Sequence, residues 1–121
     1  MVENRSRTVA VIDDDEAVLE SFRFMLELAG FPVATYSSAT AFLDDATSQP
    51  LCLILDHHMP WMTGLDLTAK LRAEGSVVPV LLITSAPSQA IFTRAAAVGV
   101  ARVLEKPVAE ADVITFVRGC Y

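Results

Sequence analysis

The sequence predicts an α/β fold with a five-stranded parallel sheet, covered on both faces by five helices. Three observations predict it. Short β-branched apolar runs alternate with segments of helical period along the whole 121-residue chain. The connections between them are short, which suits β-α units and a parallel sheet buried on both sides. The first and third runs end abruptly in acid, at Asp13 and Asp56, and open parallel sheets bind ligands outside the carboxyl ends of their strands.

Taken in order, Thr8 to Asp13 reads as a buried strand ending in acid. Glu16 to Ala29 follows as a helix, with Val18, Phe22, Met25, Leu26 and Ala29 on one face. Asp15 suits the cap at its start, and Gly30 suits its end, where a left-handed residue is often required. Phe31 to Tyr36 is a second strand, and Ser38 caps a helix to about Thr47, with Phe42, Leu43 and Ala46 inward. Leu51 to Asp56 is the third strand. Thr63 and Gly64 open a helix carrying Leu67 and Leu71. Pro79 to Thr84 is the fourth strand, Ser88 to Val98 a helix stopped by Gly99, and Ala101 to Glu105 the fifth strand. Lys106 and Pro107 turn into a last helix from about Ala109 to Arg118. Right-handed crossovers leave few topologies, and the order 2-1-3-4-5 is one of the two common ones. Its switch point lies between strands 1 and 3.

The composition bounds the function. The length suits a single domain, residues 1–121. A hydrophobic fraction of 53% with only 7% aromatics favours packed aliphatic strands. The net charge of -6 and nine scattered Lys and Arg residues exclude non-specific nucleic-acid binding. Met1 to Thr8 is polar and lacks the apolar stretch of a signal peptide, and no run approaches a membrane span. The expectation is a soluble, cytoplasmic protein. Cys52 inside an apolar run and Cys120 near the end read as a buried thiol and a tail thiol, with an intermolecular bridge through Cys120 as the alternative.

The chemistry lies at the strand ends. Asp13, Asp14 and Asp15 follow strand 1, Asp56 ends strand 3, Thr84 and Ser85 end strand 4, and Glu105, Lys106 and Pro107 end strand 5. Each alone is bland: an acid after a strand is usually a loop residue or cap, and Lys-Pro is usually a turn. Together they place carboxylates, a hydroxyl and an ammonium in one cleft. Clustered carboxylates repel, and a hard divalent cation resolves the repulsion. Lys106 supplies a point charge for carboxylate or phosphate, and Thr84 a donor for a phosphoryl oxygen. The set fits phosphoryl transfer to a carboxylate nucleophile.

These motifs closely resemble the receiver domain of two-component response regulators, over about Thr8 to Val117. Val11 to Val18 looks like that family's acidic turn, and Leu55 to Pro60 with Met62 to Leu65 like its phosphoacceptor loop. Ile83 to Ala86 and Glu105 to Pro107 complete the pattern, closest in flavour to regulators of the nitrogen-fixation type. The resemblance implies a flavodoxin-like, doubly wound fold. It implies Asp56 as phosphoacceptor, Asp14 as direct Mg2+ ligand, Asp13 as the acid holding metal-bound water, and the His58 backbone carbonyl as a third ligand. Mn2+ can substitute for Mg2+. Thr84 then contacts the phosphoryl group and Lys106 is the family's lysine. It also implies a sensor histidine kinase as donor, small phosphodonors as substitutes, self-catalysed transfer and hydrolysis, and no turnover of an external substrate. Phosphorylation switches a partner or an output domain, and can drive dimerisation. In a longer chain, a DNA-binding domain is the expected sequel.

The sequence departs from that pattern at several positions. Val103 stands where the family has an aromatic switch residue, and Val108 where a Phe commonly follows Lys-Pro. Ala95, Ala96 and Ala97 are expected to pack tightly on the sheet. Trp61 is either a loop residue over the site edge or a partner contact. His57 and His58 invite a zinc or copper reading, against loop histidines without metal; by the resemblance, His58 tunes dephosphorylation instead, and Ala86 leaves the phosphoryl group open to water. Two other functions compete. A haloacid-dehalogenase-type phosphatase needs a further acid pair after the lysine, and only Glu110 and Asp112 follow, in a predicted helix. A module that binds partners without phosphorylation does not need the intact set of acids, Thr84 and Lys106.

Overall fold

The apolar runs hydrogen-bond side by side in the computed structural model, which describes residues 7–45 and 49–121. The strands are β1 (Val9–Ile12), β2 (Val33–Tyr36), β3 (Cys52–Asp56), β4 (Val80–Thr84) and β5 (Arg102–Glu105). They form one parallel sheet in the order β2-β1-β3-β4-β5. Every residue of β1, β3 and β4 is buried. A parallel sheet with helices on both faces requires that, which is why these runs are apolar without alternation. The edge strands β2 and β5 are only partly covered.

The helices are α1 (Glu16–Leu28), α2 (Ala39–Asp44), α3 (Gly64–Ala73), α4 (Gln89–Ala97) and α5 (Glu110–Cys120). Successive strand residues point to opposite faces, so the core splits in two. Ala10, Ile12, Leu53, Leu55 and Leu82 pack with residues of α2, α3 and α4. Val9, Val11, Ile54, Leu81 and Ile83 pack with residues of α1 and α5.

Local chemistry sets the helix ends. The Asp15 carboxylate accepts from the Ala17 amide at 2.9 Å at the start of α1, and the Ser38 hydroxyl accepts from the Ala41 amide at 3.0 Å at the start of α2. Thr63 and Asp66 form a reciprocal capping box at α3. After α1 the chain turns at Gly30, whose φ of +97° suits a residue without Cβ.

Several expectations shift. β2 begins at Val33 and not at Phe31, because Pro32 has no amide to give the ladder; its carbonyl accepts from Val9 at 2.9 Å. The buried stripe of α1 is Leu19, Phe22 and Leu26, with Val18 and Met25 flanking it. α2 runs to Asp44, and the expected extension through Ala46 and Thr47 lies outside the described residues. In α4 only Ala95 is buried, while Ala96 and Ala97 are exposed. Three successive helix residues cannot share one face, so the expected packing of the whole Ala run fails. Cys52 is buried and Cys120 partly buried in the α1/α5 core, both as free thiols; the Cys120 thiol donates to the Phe116 carbonyl at 3.3 Å. Among the described residues no helix is long and apolar enough to cross a membrane.

One glycine fixes the site-bearing end of the sheet. A Cβ on Gly64 would lie 2.6 Å from Leu82 Cδ1 and 2.9 Å from the Asp56 carbonyl oxygen. The start of α3 therefore presses directly against the tip of β3. Gly64→Ala is expected to lower unfolding stability by about 1–3 kcal/mol through overpacking. The midpoint of a urea denaturation curve measures it; an unchanged midpoint contradicts this account.

Candidate functional site

Because all strands are parallel, their carboxyl ends share one edge. There β1 delivers Asp13 and Asp14, β3 delivers Asp56, β4 delivers Thr84, and β5 delivers Lys106. The chain leaves β1 for α1 on one face and β3 for α3 on the other, which opens a crevice between them. The Lys106–Pro107 peptide bond beside it is cis.

Asp13 and Asp56 are buried, and Asp14 is exposed. Carboxylate oxygens of these residues all lie within 4.8 Å of one another. The Lys106 Nζ lies 3.0 Å from Asp56 Oδ1 and 3.8 Å from Asp13 Oδ2. Burial alone would lower the Lys106 pKa, but the surrounding Asp56, Asp13 and Asp14 outweigh it and hold the ammonium above its usual range. Asp13 is pushed up to about 6, chiefly by burial, against the Asp15 amide that donates to Oδ1 at 2.9 Å. The negative charges of Asp56 and Asp14 push the same way, and Lys106 opposes them.

This is a strained arrangement for a protein alone and a suitable one for a hard cation. Asp56 Oδ1 is buried without a well-formed hydrogen bond, since Lys106 approaches it at close range but poor angle. None of the described backbone hydrogen bonds ends on the His58 carbonyl. Oxygen donors of this kind fit Mg2+, which takes a few carboxylates and keeps its waters.

Thr84 is fully buried, and its hydroxyl is engaged elsewhere. His58 Nε2 lies 2.8 Å from Thr84 Oγ1, and the Ala86 amide donates to the same oxygen at 3.1 Å. The sequence gives no signal for the His58 contact, because its partner is 26 residues away and on another strand. The ring of His57 stands 5.0 Å from that of His58, edge to face. Burial, then the neighbouring His58, lowers the His57 pKa. Neither histidine belongs to the Asp13–Asp14–Asp56 group. Trp61 is fully exposed in the loop, at a left-handed backbone position, φ +72°. Val103 and Val108 are partly buried on opposite faces of the sheet. Glu110 and Asp112 lie in α5, where Asp112 faces Arg102 at 3.9 Å. They bring no further acid pair to the crevice, which weighs against the dehalogenase-type phosphatase.

A family model of the response regulator receiver domain matches residues 9–118. The chain belongs to that family. This receiver domain is 40% identical over 116 residues to the transcriptional regulatory protein FixJ of Azorhizobium caulinodans, covering 93% of this chain and 54% of FixJ. It is 34% identical over 116 residues to the response regulator protein TmoT of Ectopseudomonas mendocina, covering 95% of this chain and 53% of TmoT. The chain thus spans about half the length of the curated relatives it matches. Among solved structures, the crystal structure of FixJ-N superposes with a TM-score of 0.84 at 30% identity, covering 96% of this chain and 94% of that one. The receiver domain is a signalling domain of two-component systems, not a substrate-turnover enzyme.

The Asp13 environment has a measurable consequence in metal-free protein. Its folded pKa of about 6 exceeds the ordinary 3.8, so the fold favours the protonated acid. That contribution is fully present below about pH 4 and is lost as pH rises through about 6. With chelator present, wild-type stability relative to Asp13→Asn is expected to fall across that window, by at most about 3 kcal/mol. Urea denaturation at a series of pH values measures it; a difference constant with pH contradicts the assignment.

Proposed function

We propose that Asp56 is the phosphoacceptor of this receiver domain, taking a phosphoryl group from a sensor histidine kinase. The observation that carries the reading is the Asp56 carboxylate itself, buried at the tip of β3 between the paired acids and a lysine 3.0 Å away. One Asp56 oxygen attacks the phosphorus of the donor phosphohistidine. The phosphorus–nitrogen bond breaks, the imidazole leaves with the electron pair, and an acyl phosphate forms. Lys106 screens the charge between the approaching phosphoryl group and the acids. Thr84 donates its hydroxyl to a phosphoryl oxygen after turning from its resting partners.

Asp13, Asp14, Asp56 and the His58 carbonyl would hold Mg2+, Asp13 through water, and Mn2+ could substitute. A cation held there would supply neutralisation of the charge that develops on the phosphoryl oxygens. The same residues serve self-catalysed transfer and, later, hydrolysis, with Ala86 leaving the phosphoryl group open to water. An apolar groove formed by Ala17, Val18, Met25, Pro107 and Val108 runs beside Lys106 and offers the donor protein a seat. Residues 1–121 act as one receiver unit in the cytoplasm. The relative named as a transcriptional regulator, FixJ, is about twice as long, which supports an output domain beyond this unit. That domain, and not the acidic receiver, contacts DNA. Phosphorylation then shifts an interaction with the output domain, a partner or a second copy.

Intact-mass analysis after acetyl phosphate and Mg2+ tests the reading. Wild type is expected to gain one phosphoryl adduct, Asp56→Asn none, and wild type with chelator none. An adduct that persists in Asp56→Asn overturns it.

A further inference from the structure

The contact of His58 with Thr84 points to a device that the acceptor chemistry does not use. A hydroxyl has one hydrogen and two lone pairs. The Ala86 amide takes one lone pair of Thr84, at 3.1 Å. His58 Nε2, at 2.8 Å, takes either the hydrogen or the second lone pair, according to its tautomer. None of the described hydrogen bonds joins the Thr84 hydroxyl to Asp56 or Lys106; the Lys106 amide donates to the Thr84 carbonyl, at 2.9 Å. The resting hydroxyl is thus held by the loops after β3 and β4.

The His58 residue is otherwise exposed, and this bond holds its ring together with the edge-to-face contact to His57. The strand that could carry a reorienting aromatic has none: Val103 on β5 is partly buried against the α2/α3/α4 core. We propose that His58 is the positioning residue that latches Thr84 at rest, and that phosphorylation releases it. This rests on Asp56 being the acceptor. When Nε2 accepts the Thr84 hydrogen, donating that hydrogen to a phosphoryl group on Asp56 breaks the His58 bond. The resting arrangement is therefore favoured by the worth of one net hydrogen bond, about 2- to 10-fold. The freed imidazole lies on the loop between β3 and α3. That loop is closed by the Met59 and Gly64 amides, which both donate to the His57 carbonyl, at 3.1 Å each. Its outer turn carries Trp61, fully exposed in a left-handed conformation that a non-glycine residue rarely adopts. The surface altered by phosphorylation is this loop, and not a ring on β5.

The test is a double-mutant cycle with beryllofluoride and Mg2+ as the probe, on wild type, His58→Ala, Thr84→Ala and the double variant. His58→Ala is expected to bind the probe about 2- to 10-fold more tightly than wild type. In the Thr84→Ala background the same substitution is expected to change nothing. As a separate readout, the His58 ring proton signals of probe-free Thr84→Ala should move from their wild-type positions toward those of probe-bound wild type. Weaker or equal binding by His58→Ala overturns the latch while leaving the acceptor reading intact. So does an effect that persists without Thr84, or ring signals indifferent to Thr84. Failure of wild type to bind the probe at all overturns both readings.

Discussion

The physical constraint on which this structure depends is the crowding of acids at one end of a parallel sheet. Asp13 and Asp56 are buried side by side with Asp14 at their rim, an arrangement that costs free energy in any protein lacking compensating charge. Lys106 supplies part of the compensation from β5, across β3 and β4. The remainder appears as the raised pKa of Asp13 and the poorly bonded oxygen of Asp56. Both mark a site short of positive charge, and oxygen donors so crowded fit a hard cation.

The scaffold tolerates that cost because everything beneath it is apolar and continuous. β1, β3 and β4 are buried throughout, so the acids cannot retreat into the sheet or swing to another face. Gly64 lets α3 approach the tip of β3 so closely that the Asp56 backbone has little freedom. Arg72, near the end of α3, binds the carbonyls of Ser76, Val78, Val98 and Gly99, at 2.8–3.2 Å. It ties the opposite end of the sheet to the helix layer. α4, by contrast, buries only Ala95 completely. The domain is thus firm where charge is held and more loosely seated along the helix that follows Thr84.

The relatives place the domain in two-component signalling. β5 carries Val103 and no aromatic ring, whereas His58 and Trp61 lie on the loop after Asp56. Trp61 holds a left-handed backbone with its side chain fully exposed.

The sequence by itself determined the alternation of elements, the strand order, the caps at Asp15 and Ser38, and the acids, Thr84 and Lys106 at one edge. These are legible because they follow from short-range rules: periodicity, capping chemistry, and the fact that parallel strands all end on the same side. Only the tertiary structure decided which neighbours those groups have. The rotation of α1 onto Leu19, the partial burial of the Ala run in α4, the four carbonyls around Arg72 and the hold of His58 on Thr84 each join positions by packing. Most of these contacts join residues far apart along the chain, Arg72 with Val98 and Gly99 and His58 with Thr84 among them, at distances set by how helices seat on the sheet. No local pattern records that seating.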